Sequence, residues 1–100
     1  MEPQSRCFPY ERSIVINALY DTIEALGLCL DSSNSSRGTL IVSDAAHTGN
    51  IRIALSVTNN KSHTLVEIYP QGSDLTFFNA WNAVILDELL GTIQRAVLPR

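Results

Sequence analysis

The last quarter of the chain constrains the fold most, because its apolar residues cover too much of a helix to leave that helix exposed. Asp74, preceded by Ser73, is suited to cap the first turn of a helix running to Val97. The large apolar side chains in this stretch are Leu75, Phe77, Phe78, Trp81, Val84, Ile85, Leu86, Leu89, Leu90, Ile93 and Val97. A surface helix shows an apolar stripe of about 100° or somewhat more, whereas these positions fill well over half of the helical wheel. We therefore expect this helix to be covered on more than one side.

The rest of the chain predicts strands between this helix and an earlier one. Apolar residues at three- and four-residue spacing indicate a helix over Glu11–Leu26, and Gly27 is suited to the left-handed conformation that closes a helix. A short strand over Gln4–Phe8, stopped by Pro9, precedes it. Alternating side chains and turn residues then predict four strands over Leu28–Ser33, Thr39–Ser43, Ile51–Thr58 and His63–Tyr69.

Short connections between consecutive strands favour antiparallel pairing. We therefore predict one α+β domain over residues 1–100, a two-layer sandwich of a four-stranded meander with both helices on one face. The predicted order is an optional strand, a helix, four strands and a helix. This layout resembles helix-grip and TATA-binding-protein-like half-domains, in which a curved antiparallel sheet wraps a long C-terminal helix. The resemblance concerns topology and implies nothing about function.

The predicted strands have two different faces. Ile51, Ile53, Leu55 and Val57 lie on one face of the clearest strand and are expected to pack against the helices. On the opposite face, nothing in the chain is expected to cover four residues: Ile41, Ala54, Leu65 and Tyr69. A contiguous apolar patch of this kind is typical of an interface. We therefore expect a homo-oligomer that associates through the sheet or through the surplus apolar side of the long helix.

The alternative use of the apolar surplus is a small apolar ligand. A curved sheet can leave a cavity beside the C-terminal helix, and apolar pockets with a few polar groups are typical ligand sites. The residues expected to line such a pocket are Tyr69, Phe78, Trp81 and Asn82. This hypothesis includes a helix-grip type of enzyme, although aromatic residues at helical spacing more often fill a core.

No catalytic residue is predicted. Ser43, Asp44 and His47 bring a hydroxyl, a carboxylate and an imidazole within five positions, but a polar loop does not supply the rigid, desolvated geometry of a triad. Asp87 and Glu88 are adjacent on a helix and point about 100° apart, so they do not face one substrate. The sequence therefore favours a non-catalytic domain that acts through protein association.

No metal or cofactor is predicted either. The residue types that bind zinc are widely spaced, as Cys7, Cys29, His47 and His63. The glycines match no phosphate-binding loop, and we interpret the two cysteines as buried free thiols. The net charge is −3 with both signs interspersed, which argues against nucleic acid as a partner. With no apolar stretch of about 18 residues and no leader pattern, we expect no membrane partner and a cytoplasmic protein.

Overall fold

The computed structural model describes residues 4–46, 48–60, 62–72 and 75–97. Its elements are, in chain order, β1 (Gln4–Phe8), α1 (Arg12–Ala25), β2 (Cys29–Asn34), β3 (Thr39–Ser43), β4 (Asn50–Val57), β5 (Thr64–Pro70) and α2 (Thr76–Val97). The predicted α+β class and the predicted order of elements are confirmed. The predicted cap residues Ser73 and Asp74 lie outside the described residues.

The strands form one antiparallel sheet of five, in the order β1-β5-β4-β3-β2. The predicted meander of four strands is present, and β1 joins it as a fifth strand by pairing with β5, so that Gln4 lies opposite Ile68 and Phe8 opposite Thr64. Because β1 and β2 occupy opposite edges, α1 carries the chain across the sheet between them. Whether the sheet wraps α2 as in helix-grip proteins stays a prediction.

The end of α1 explains how the chain turns from helix to strand. Gly27 has φ 73°, the left-handed conformation that glycine adopts without steric cost. Its N–H donates to the carbonyl of Glu24, and the N–H of Leu28 donates to the carbonyl of Ile23, each at 3.0 Å. These two bonds form a Schellman motif, in which the side chains of Leu28 and Ile23 are both buried. The chain therefore leaves the helix directly into β2.

The face of the sheet that packs against the helices is termed the covered face. It consists of Leu40, Val42, Ile51, Ile53, Leu55, Thr64, Val66 and Ile68, all of them buried. Both helices contribute buried apolar residues to the same core, such as Leu19 of α1 and Leu89 of α2. Where the helices meet, the buried Thr22 hydroxyl donates to the Thr92 hydroxyl at 3.1 Å. Val57 was expected on this face, but it is 53% exposed at the end of its strand.

The apolar surplus of α2 is largely accommodated within the chain. Leu86 is only 3% exposed, and Leu90 and Trp81 pack partly against the core. Val84 is the exception among these residues, because 42% of it is exposed. Apart from Val84, these side chains of α2 are covered wholly or in part within the chain.

The opposite face of the sheet is termed the free face. On the three central strands the residues of this side are Thr39, Ile41, Ser43, Asn50, Arg52, Ala54, Ser56, Leu65, Glu67 and Tyr69, of which Ser43 is buried. The exposed free thiol of Cys7 also lies here, opposite Leu65. The expectation that Cys7 is buried was wrong, because strand alternation turns it away from the side on which its neighbour Phe8 is buried.

Candidate functional site

All four residues predicted as an interface lie on the free face. Ile41 is opposite Arg52, which is opposite Tyr69, so that these three form one row across the sheet. Ala54 lies in the next row and Leu65 in the row after it. Each of the four apolar residues is half-buried by its neighbours and partly open to solvent. The strand register therefore brings them together as one surface, with polar side chains between them.

The charges on the free face are placed beside Tyr69. The Arg52 guanidinium carbon lies 4.6 Å from the centre of the Tyr69 ring, a cation–π contact. The pKa of the Tyr69 hydroxyl is raised, first by desolvation and then by a hydrogen bond with Glu67 and the negative charge of that residue, while Arg52 opposes the shift. The central strands contribute one arginine and one glutamate to this face, so their charges cancel.

The four residues predicted to line a ligand pocket are not brought together. Tyr69 follows the buried Ile68 and lies on the free face, so the sheet separates it from α2. Phe78 is 2% exposed and belongs to the core, while the Asn82 side-chain amide donates to the Phe78 carbonyl at 2.7 Å. The sequence did contain the signal for this separation. Alternation along β5 places Tyr69 on the same side of the sheet as Leu65, away from α2.

Trp81 does line a cavity, but with different companions. An open cavity of about 290 Å³, termed the Trp81 cavity, lies between the start of α2 and the loop that joins β3 to β4. Its described lining consists of Asp44, Thr48, Gly49, Thr76, Phe77, Ala80 and Trp81. The rings of Phe77 and Trp81 are 6.2 Å apart between centroids, at 37° to each other. Sequence reasoning identified the tryptophan and missed the loop residues.

The loop wall of this cavity is held in place from two directions. The Asp44 carboxylate accepts a hydrogen bond from the Thr48 backbone N–H at 2.8 Å and another from the Thr48 hydroxyl. Gly49 packs so closely on α2 that a Cβ atom there would lie 2.7 Å from the Cβ atom of Phe77. Only glycine permits this approach without displacement. No pattern in the sequence revealed the contact, because it joins residues 28 positions apart.

The polar residues considered for catalysis are arranged differently from a triad. The Ser43 hydroxyl is buried and donates to an Asp31 carboxylate oxygen at 3.0 Å, across β2 and β3. His47 lies outside the described residues. Nδ1 of His63 is buried without a hydrogen-bond partner in the described part of the chain. In that same part, no three histidine, cysteine or acidic residues lie close enough together to hold a metal ion.

Among the helices described, none combines the length and the hydropathy that are needed to cross a bilayer. No protein-family model matches this sequence, and neither does any curated protein.

Proposed function

We propose that this domain acts through protein association and forms a homodimer across its free face. The observation that supports the proposal is the grouping of Ile41, Ala54, Leu65 and Tyr69 in adjoining rows that neither helix covers. A single-layer sheet with helices on one side is complete only when its other face is polar or is covered by a partner. The free face is half apolar at its centre, and a second copy supplies the matching cover.

The size of the face is compatible with such an interface. Four inter-strand spacings of about 4.8 Å give a width of roughly 19 Å, and about 3.3 Å per residue gives the longest strand a length of roughly 26 Å. The product is of the order of 500 Å² for the whole face, polar residues included. Standard interfaces bury about 800 Å² of accessible surface per partner. The accessible surface of the free face is larger than its planar area, because its side chains project from the sheet.

The charges of the free face favour a copy of the same chain over an unrelated partner. In a two-fold dimer, each residue i that contacts residue j of the partner is repeated as j contacting i. Arg52 and Glu67 lie in neighbouring rows, opposite Tyr69 and Ala54 respectively. A two-fold axis between the rows therefore places each arginine near the partner's glutamate, and no charge is left unmatched at the centre.

The test compares one substitution on the free face with one on the outer side of α2. Leu65→Lys puts a charge on the free face, next to Glu67, where the monomer tolerates it. Val84→Lys makes the same kind of change on the outer side of α2, where the side chain is already 42% exposed. Light scattering at tens of micromolar should give twice the monomer mass for the native protein and for Val84→Lys. The dimer dissociation constant of Leu65→Lys should rise by a factor of about 100 or more.

Charge reversal tests the two-fold arrangement directly. Arg52→Glu should weaken the dimer because it faces the partner's Glu67, and adding Glu67→Arg should restore much of the affinity. A monomeric native mass at tens of micromolar refutes the proposal. Loss of the dimer in Val84→Lys together with an unchanged Leu65→Lys dimer would move the interface to α2.

A further inference from the structure

The Arg52 side chain is oriented by the Tyr69 ring. Its guanidinium carbon lies 4.6 Å from the centre of that ring, and the two residues are direct partners across β4 and β5. Arg52 is otherwise exposed, and a long exposed side chain samples many rotamers. A cation that lies over an aromatic face is attracted to it, so this contact selects among those rotamers. The Tyr69 ring therefore holds the positive charge of Arg52 above β5.

The charge of Arg52 is oriented by this contact without being neutralised. No ion pair between described residues includes Arg52 or Glu67, although both lie beside Tyr69 on the free face. A carboxylate would orient the guanidinium and cancel its charge, whereas an aromatic ring carries no net charge. Each chain thus presents one oriented cation and one carboxylate, and both are available to a partner.

The two-fold arrangement of the proposed dimer places the partner's carboxylate where this cation lies. The axis runs across the strands, between the row of Arg52 and Tyr69 and the row of Ala54 and Glu67. Rotation about it lays each strand over its own copy and exchanges the two rows. The partner's Glu67 therefore lies above Tyr69, on the side where the guanidinium covers the ring. An Arg52 side chain that left the ring would lose this alignment.

We infer that Tyr69 is the positioning residue of the dimer interface, because its ring orients the Arg52 guanidinium towards the partner's Glu67 before the two copies meet. The inference rests on the proposed homodimer and adds the residue that aligns its charge pair. Ordering a flexible side chain at an interface opposes association, and a side chain that is ordered beforehand avoids that loss. Tyr69 thus acts through Arg52, and through its ring rather than its hydroxyl, since the guanidinium contacts the ring.

The first experiment separates the ring from the hydroxyl. Tyr69→Phe keeps the ring, so its dimer dissociation constant should stay within about twofold of the native value. Tyr69→Leu keeps an apolar side chain and removes the ring, and it should raise the dissociation constant roughly tenfold, in keeping with a cation–π contact that becomes desolvated. Tyr69→Val is a second variant without a ring and suits a strand, in case leucine disturbs the fold. Sedimentation velocity over a dilution series measures all four proteins.

The second experiment tests whether Tyr69 acts through Arg52. In the Arg52→Gln background no cation remains to be oriented, so adding Tyr69→Leu should change the dissociation constant by about twofold or less. Salt gives an independent measure. At about 1 M NaCl the Debye length is about 3 Å, so the charge pair is screened and Tyr69→Phe and Tyr69→Leu should approach the same affinity. A ring that only filled space at the interface would keep its advantage under both conditions.

Three results would overturn the inference while the native protein remains a dimer. They are an equal loss of affinity in Tyr69→Phe and Tyr69→Leu, a native-like affinity in both variants without a ring, and an undiminished effect of Tyr69→Leu in the Arg52→Gln background. A native protein that is monomeric at tens of micromolar refutes the homodimer itself, and this inference with it. The native mass therefore distinguishes the two failures.

Discussion

The two faces of the sheet are built from the same strands, yet they differ in residue type and in solvent exposure. On the covered face, the central positions of β3, β4 and β5 are aliphatic and at most 3% exposed. On the free face, Ile41, Arg52 and Tyr69 stand in one row, so that apolar and charged side chains alternate across the strands. The covered face is uniform and closed, whereas the free face is mixed and partly open.

Packing of the covered face fixes the strand register, and that register determines where the side chains of the free face lie. A slip of β4 by one residue would carry Ile51, Ile53 and Leu55 into solvent, so burial fixes the register. That same register places Arg52 opposite Tyr69, and the cation–π contact follows from it. The side chains proposed to meet a partner are thus positioned by residues that never contact the partner.

The largest expected effect is a difference in unfolding free energy between alanine substitutions in the core and an alanine substitution on the free face. Ile85→Ala or Leu89→Ala removes a fully buried side chain of α2 and should lower the free energy of unfolding by about 2–5 kcal/mol, because a cavity remains in the core. Leu65→Ala on the free face should cost about 1 kcal/mol or less, since its side chain is already partly in water. Urea denaturation followed by circular dichroism measures both.

These unfolding experiments must be made at a concentration at which light scattering shows monomer, because association stabilises the folded state. Equal losses for Leu89→Ala and Leu65→Ala would contradict the distinction between a closed and an open face. A melting temperature unchanged by both α2 substitutions would show that this side of the helix does not face the core.

Much of this contrast could be predicted from the sequence, because strand alternation has a fixed period of two. The alternation of Ile51, Ile53 and Leu55 predicted the face of β4 that packs on the helices. The pairing of β1 with β5 was not predicted, because those strands are about 60 residues apart and nothing local specifies their contact.

The placement of the predicted site residues depends on how the elements pack together, which the sequence specifies less directly than the elements themselves. The four residues predicted as an interface lie in adjoining rows because alternation and register place them there, and their role as an interface stays a prediction. The ligand set failed to come together because Tyr69 was combined with Phe78 across the sheet, against the alternation of its own strand. Asp44 and Gly49 escaped notice because a loop has no period, and their contacts with α2 depend on how the loop folds back.

An effect of intermediate size tests the close packing on the covered side. Gly49→Ala should lower the free energy of unfolding by about 1–3 kcal/mol, because the added methyl group would lie 2.7 Å from the Phe77 Cβ atom. Gly91→Ala is the control with the opposite sign. There the nearest neighbour is the end of the flexible Arg95 side chain at 3.3 Å, and alanine in a helix is favoured over glycine by about 0.5–1 kcal/mol.

Thermal unfolding of these two variants, followed by circular dichroism, is sufficient to compare them. If both glycine substitutions stabilise the protein, the β3–β4 loop does not rest on α2 as described, and the Trp81 cavity loses its second wall.

The smallest expected effect concerns the free face alone. The raised pKa of Tyr69 means that the folded state holds the phenolic proton more tightly than the unfolded state, whose pKa is about 10. This contribution to stability is complete below pH 10 and is lost as the pH rises through the folded pKa. Glu67→Gln should lower the pKa of Tyr69, because the negative charge beside the hydroxyl disappears. Arg52→Gln should raise it further, because Arg52 opposes the shift.

Phenolate absorbance, taken as the difference between each protein and its Tyr69→Phe counterpart, isolates this group from Tyr10 and Tyr20. Opposite displacements in the two variants would confirm that the charges of Arg52 and Glu67 act on Tyr69 in the register that the covered face imposes. If the pKa of Tyr69 moved in the same direction in both variants, Arg52 and Glu67 would not lie beside Tyr69 as the strand register places them. The free face would then lack the paired charges that a two-fold partner requires.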